Sequence, residues 1–104
     1  MKMVRTIFRP ELEEKVLDEL EQEGFAAYTR FNVMGRGRQK GLVKRDVHFL
    51  DSPKTMLLIV VEDSECDRLV QLIRKVARTG KMGDGRIFVT PVEKAVTIRT
   101  GEGL

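Results

Sequence analysis

The sequence predicts an α+β fold built from two β-α-β halves, with both helices on one face of a four-stranded sheet. Three observations lead there: two amphipathic helical stripes that each run out at a glycine, four short β-rich runs that flank them in order, and one long glycine- and arginine-bearing stretch between the second and third runs. A chain of 104 residues has room for one domain around one core, spanning residues 1–104.

The first run, residues 3–9, is rich in β-formers, and Pro10 then opens a new element where its fixed φ and missing N–H cost a helix nothing. In the helix that follows, Leu12, Val16, Leu17 and Leu20 recur on one face, Glu11, Glu13 and Glu14 lie near the positive end, and Gly24 supplies the stop. Residues 26–34 read as a strand in which Ala27, Thr29, Phe31 and Val33 alternate with Tyr28, Arg30 and Asn32. Residues 35–53 carry three glycines and weak periodicity, and their Arg and Lys residues crowd into 36–45, which predicts a long mobile loop over about residues 38–53. Residues 55–61 form a continuous apolar run of strand length, as expected of a central strand covered on both faces or buried in an interface. The second helix is predicted to be capped by Asp63 or Ser64, with Cys66, Leu69, Val70, Ile73, Val76 and Ala77 as its apolar stripe and Gly80 at its end. Residues 86–90 form a last strand stopped by Pro91, and residues 94–104 a short tail. The order strand, helix, strand, long loop, strand, helix, strand is that of the ferredoxin-like double β-α-β sandwich. That fold hosts many activities, so function has to come from sites.

Composition removes several classes. Hydrophobic residues at 41% beside charged residues at 34% suit a soluble globular domain rather than a disordered chain. The longest apolar run, residues 56–61, is too short to span a bilayer, and the N-terminus lacks the apolar stretch of a secretory signal, so the expected location is the cytoplasm. One cysteine, Cys66, and one histidine, His48, allow neither an internal disulfide nor a His/Cys zinc cluster. The net charge of +3 is modest but uneven, with acid gathered in residues 11–23 and base in 36–45 and 74–86, which favours local anion binding over a nucleic-acid stripe.

Two clusters stand out from the scaffold. Gly35-Arg36-Gly37-Arg38-Gln39-Lys40-Gly41 ends a strand: its glycines let backbone N–H groups approach an anion, its cations add charge, and Gln39 offers a neutral oxygen to a metal ion. A flexible basic hairpin explains it equally well. The second cluster, Thr79-Gly80-Lys81-Met82-Gly83-Asp84-Gly85-Arg86-Ile87-Phe88-Val89, joins a helix to a strand with three glycines in a loop tight enough to wrap phosphates, flanked by Lys81 and Arg86. It lacks the Gly-Lys-Ser/Thr ending of a Walker A loop.

Gly83-Asp84-Gly85-Arg86-Ile87-Phe88-Val89, preceded by Thr79, resembles the C-terminal signature of the PII nitrogen-regulatory family. Gly37-Arg38-Gln39-Lys40-Gly41, Pro53-Lys54 and Ile98-Arg99-Thr100-Gly101-Glu102 resemble the same family in the same order, so the likeness covers nearly the whole chain. The resemblance implies a trimer with ATP or ADP between neighbouring subunits. Gly83, Asp84, Gly85 and Arg86 would hold phosphates in a loop over about residues 80–86, joined by Gly35, Arg36, Gly37, Arg38 and Gln39 from the long loop's base and by Arg99 from the tail; Ile7, Thr29 and Val60 would line the adenine and ribose side. It further implies that Mg2+ on the triphosphate, with Gln39 as a contact, recruits 2-oxoglutarate against Gln39, Lys40, Gly41 and Lys54.

The chain departs from the best-known members: its long loop is shorter and has no tyrosine to modify, and Thr97 stands where a second phosphate arginine is often found. The short loop, Pro-Lys-Thr-Met at 53–56 and Val-Glu-Asp at 61–63 look most like the nitrogen-fixation subgroup, which acts with a sister PII chain to restrain dinitrogenase. An ammonium channel or glutamine synthetase is the alternative target. The loop's length and its mix of Val47, Phe49 and Leu50 with Lys44, Arg45 and His48 suit a partner-binding surface. An RNA-binding domain of the same fold is disfavoured because Phe8, Phe31 and Phe88 are scattered and there is no tryptophan. An enzyme is disfavoured because His48 lacks a partner at motif spacing and Cys66 falls on an apolar helical stripe. The expectation is a regulator.

Overall fold

The computed structural model describes residues 1–37 and 51–104. Strand β1 (Lys2–Phe8) leads through a single 3-10 turn (Pro10–Leu12) into helix α1 (Glu13–Gln22), and β2 (Thr29–Gly35) follows. Strand β3 (Ser52–Val61), helix α2 (Asp63–Ala77) and β4 (Gly85–Pro91) complete the second half. The strands form one antiparallel sheet in the order β2-β3-β1-β4, so the two halves interleave and β1 and β3 lie at its centre. This is the ferredoxin-like arrangement that the element order predicts.

Alternation along the central strands divides the sheet into two faces. Val4, Thr6 and Phe8 of β1 and Thr55, Leu57 and Ile59 of β3 are all buried beneath the helices, which contribute Val16 and Leu20 from α1 and Cys66, Leu69, Ile73 and Ala77 from α2. Ile7, Met56, Leu58 and Val60 point the other way, where no element of the chain covers them among the described residues.

Several boundaries differ from those the sequence predicts, each for a local reason. Strand β2 starts at Thr29 rather than 26, because after Gly24 turns at φ +88° Phe25 tucks into the core beneath the Arg68 guanidinium, 4.3 Å from its ring. Strand β3 starts at Ser52, so Ser52 and Pro53 belong to a strand and not to the long loop. Pro53 lies beyond the last β1 pair, Phe8 with Thr55, where β3 is an edge that tolerates a missing N–H. Strand β4 takes in Gly85 and Pro91, the latter opposite Lys2 at the sheet margin. Helix α2 has Glu62 at its N-cap with no side-chain hydrogen bond, and Asp63 instead binds the α-amino group of Met1 at 2.6 Å. The remainder of the predicted mobile loop, residues 38–50, lies outside the described residues.

Candidate functional site

The antiparallel register brings one end of β1, the start of β3 and the start of β4 together. Ile7 sits opposite Arg86 on β4 and opposite Met56 on β3, and Phe8 sits opposite Gly85 and Thr55. One residue further on, past the last β1 pair, Arg9 and Lys54, the latter still paired with Val33 of β2, stand beside the loop of residues 79–85. Both are spent on that loop. Arg9 Nε donates to Asp84 Oδ1 at 3.1 Å and its Nη2 donates to the Met82 carbonyl at 2.7 Å, while Lys54 Nζ donates to the Gly83 carbonyl at 2.8 Å.

Asp84 is the knot of the loop. Its Oδ2 accepts the N–H groups of Thr79 and Gly80, each at 2.8 Å, and its Oδ1 accepts the Thr79 hydroxyl as well as Arg9. The Thr79 hydroxyl, then the two backbone N–H groups and Arg9, hold this carboxyl well below the usual carboxylate range against the opposing effect of burial. Two glycines are obligatory for the shape. Gly85 has φ +108°, and a Cβ there would overlap the Ile7 carbonyl; Gly83 has φ +96° and lies against the Arg9 guanidinium, 3.3 Å from where a Cβ would stand.

With Arg9 and Lys54 hydrogen-bonded to the loop, Lys81, Arg86 and Arg78 are cations beside it that form no ion pair among the described residues. Arg86 shares the uncovered sheet face with Ile7. A groove of about 420 Å3 also borders the loop on the helix side, lined by Ile73, Ala77, Arg78 and Ile87 among others. Another groove, about 480 Å3 along α1, is walled by Glu14, Asp18 and Glu21 and so repels an anion.

The structure thus brings Ile7, Gly83, Asp84, Gly85, Arg86 and Lys54 to one end of the sheet. It does not bring Thr29 and Val60 to them within the chain. Thr29 pairs with Leu58 and Val60 with Met3, so Val60 stands four residues along β3 from Met56, about 13 Å at strand rise. Gly35 closes β2 opposite Ser52, and Arg36 just beyond it pairs with Asp51 at 3.4 Å, both exposed; Gly37 follows at the limit of the described residues. Arg38, Gln39, Lys40, Gly41, Lys44, Arg45, Val47, His48, Phe49 and Leu50 lie outside the described residues. Arg99 is exposed in a tail that doubles back on itself, with Val96 bridged to Gly103 and Ile98 fully exposed, and no hydrogen bond among the described residues ties it to the loop. Among the described residues no three His, Cys, Asp or Glu side chains gather as a metal site.

Sequence reading missed Arg9. Its only signal is a cation placed between a strand and Pro10, and that acquires meaning only once the β1–β4 register is known.

A four-stranded sheet with both helices on one face and a cationic glycine loop fastened to its end defines a ferredoxin-like α+β domain. Residues 1–102 match the family model described as Nitrogen regulatory protein P-II. The chain belongs to that family, whose proteins are regulators. It is 55% identical over 98% of its length to the Nitrogen fixation nifHD1 region GlnB-like protein 1 of Methanosarcina barkeri, covering 97% of that protein. It is 50% identical, with the same coverage of both chains, to the nifHD region GlnB-like protein 1 of Methanothermobacter marburgensis. The Nitrogen regulatory protein P-II 2 of Methanothermobacter thermautotrophicus is 44% identical, with 98% of this chain and 92% of that one covered.

Proposed function

We propose that this protein is an ATP/ADP- and 2-oxoglutarate-responsive regulator that acts by contact on a nitrogen-fixation target, dinitrogenase, together with a sister chain of the same family. The observation that carries the reading is the loop of residues 79–85, which holds its own carboxylate inward on Thr79, Gly80 and Arg9 and leaves Lys81 and Arg86 for phosphate. Relatives named for nitrogen-fixation nifHD regions support the choice of target.

The working form is a trimer in the cytoplasm. One observation supports an assembly: the uncovered face bears Ile7, Met56, Leu58, Val60, Phe31 and Phe88, and the nucleotide site assigned above opens onto that face through Ile7 and Arg86. A neighbour contributing Thr29, Val60 and Arg99 completes it. Mg2+ fits as a companion of the triphosphate with Gln39 rather than as a resident ion, because the Asp84 oxygens already accept hydrogen bonds from the loop and from Arg9. Lys54, held by a carbonyl alone, is the described cation best placed to exchange that bond for a 2-oxoglutarate carboxylate beside Gln39, Lys40 and Gly41. Residues 42–52 are then the contact surface read by the target. Calorimetry tests the reading: ATP binds the intact protein, Arg86→Ala weakens it about tenfold or more, and 2-oxoglutarate binds only with Mg-ATP present. Unchanged ATP affinity in Arg86→Ala misplaces the phosphates, and 2-oxoglutarate binding without nucleotide contradicts the order.

A further inference from the structure

We infer that Arg9 and Asp84 form a single positioning unit for the nucleotide site, setting the shape and charge of the phosphate loop without touching the ligand. The inference rests on the nucleotide reading above and deepens it by separating residues that contact phosphate from those that present it.

The geometry gives each partner a task the other cannot do alone. Asp84 gathers the Thr79 N–H, the Thr79 hydroxyl and the Gly80 N–H, which turns the chain immediately after α2. Arg9 reaches across from the end of β1 and straddles the far half of the loop, with Nε on Asp84 and Nη2 on the Met82 carbonyl. The two bonds leave from different nitrogens of one planar fork, an arrangement that an ammonium group does not reproduce. The same guanidinium lies against Gly83, so it also forms the floor over which that residue runs at positive φ. Both side chains are about three-quarters covered, 22% and 24% exposed, so the pair is held in place rather than swinging in solvent.

Charge gives the second half of the argument. A carboxylate at the centre of a phosphate loop repels the ligand unless something neutralises it, and Arg9 supplies that charge from behind the loop. With the pair neutral, Lys81 and Arg86 act on the ligand undiminished. Asp84 on this account meets the nucleotide through its backbone alone, and its carboxylate is neither a phosphate nor a metal contact.

The test is a double-mutant cycle with two readouts on the full chain: ATP affinity by calorimetry, and amide hydrogen exchange at Thr79 and Gly80 in nucleotide-free protein. R9Q and D84N each weaken ATP about tenfold, as expected for loss of a charge-assisted contact, and the double variant falls well short of the roughly hundredfold loss of independent sites because both residues act through the one loop they shape. R9K, which keeps the charge and loses the fork, falls between wild type and R9Q and guards against a variant that fails to fold. Exchange at Thr79 and Gly80 quickens in R9Q and D84N while β1 and β3 amides stay protected. Additive losses, about a hundredfold in the double variant, would make the two residues independent ligand contacts and overturn the inference. So would unchanged exchange in R9Q, or quickened exchange with unchanged affinity. If wild type binds no ATP, the nucleotide reading fails by itself, while the exchange data still decide whether Arg9 and Asp84 hold the loop.

Discussion

The two faces of the sheet are made from the same strands and are nearly equally apolar, yet among the described residues only one is covered by other elements of the chain. On the helix face Leu57 and Val4 are wholly buried and Ile59 nearly so, sealed by the stripes of α1 and α2. On the other face Val60 is 37% exposed and Phe88 49% exposed, with Leu58 and Ile7 between them only partly covered. The continuous apolar run in β3 thus supplies both the core beneath the helices and an outer face that the described residues leave open. The loop of residues 79–85 sits at the end of this second face, where Arg86 and Ile7 are neighbours.

Adjacent residues of β3 give the sharpest contrast. Leu57→Ala opens a cavity beneath the helices and is expected to lower stability by about 2–5 kcal/mol, read by denaturant unfolding and independent of protein concentration. Leu58→Ala, one position on and facing out, is expected to lower the melting temperature in a way that depends on protein concentration, because it acts on assembly. A concentration-independent loss in both would mean that the outer face is finished within the chain.

Acid tests the loop end of the comparison. Asp84 is held below its ordinary value of 3.8 chiefly by the Thr79 hydroxyl, and Glu13 is held below 4.5 chiefly by Arg30, with Thr55 assisting. A carboxyl whose folded pKa is depressed contributes stability that is present above its unfolded pKa and is lost as pH falls toward the folded value. Stability is thus expected to be flat near neutrality and to fall below about pH 4.5, and D84N is expected to lessen that fall. A D84N curve parallel to wild type through this window would show that the loop does not hold the carboxylate in solution.

The smallest effect belongs to Glu13, whose carboxylate joins Arg30 of β2 at 2.7 Å and the buried Thr55 hydroxyl at 2.7 Å. Glu13→Gln is expected to cost no more than about 1 kcal/mol, since the pair is partly solvated. It should leave ATP affinity unchanged, because this link stands on the helix face; a loss of affinity would show coupling between the faces.

Much of this was legible in the sequence, and the limits have physical causes. Periodicity located both helices because each buries one stripe, β-rich runs between turn residues located the four strands, and Gly83, Gly85 and Arg86 marked the loop because a plain turn does not need all three. Edges were less legible. Pro53 reads as a breaker until β3 is known to outrun β1, and Asp63 reads as a cap until the Met1 amine is found beside it. Asp84 reads as a site residue, but its inward carboxylate and the partnership with Arg9 depend on a residue 75 positions away, a contact no local pattern encodes.

The central claim is that the second face and the nucleotide site are completed together by other copies of the chain. Leu58→Asp, studied by sedimentation equilibrium, circular dichroism and ATP calorimetry on one preparation, tests it most directly. The account predicts a helical, folded monomer that has lost ATP affinity although Arg86, Gly83 and Gly85 are untouched, beside a wild type of three times the chain mass that binds. A folded monomer of Leu58→Asp that still bound ATP as wild type does would contradict it.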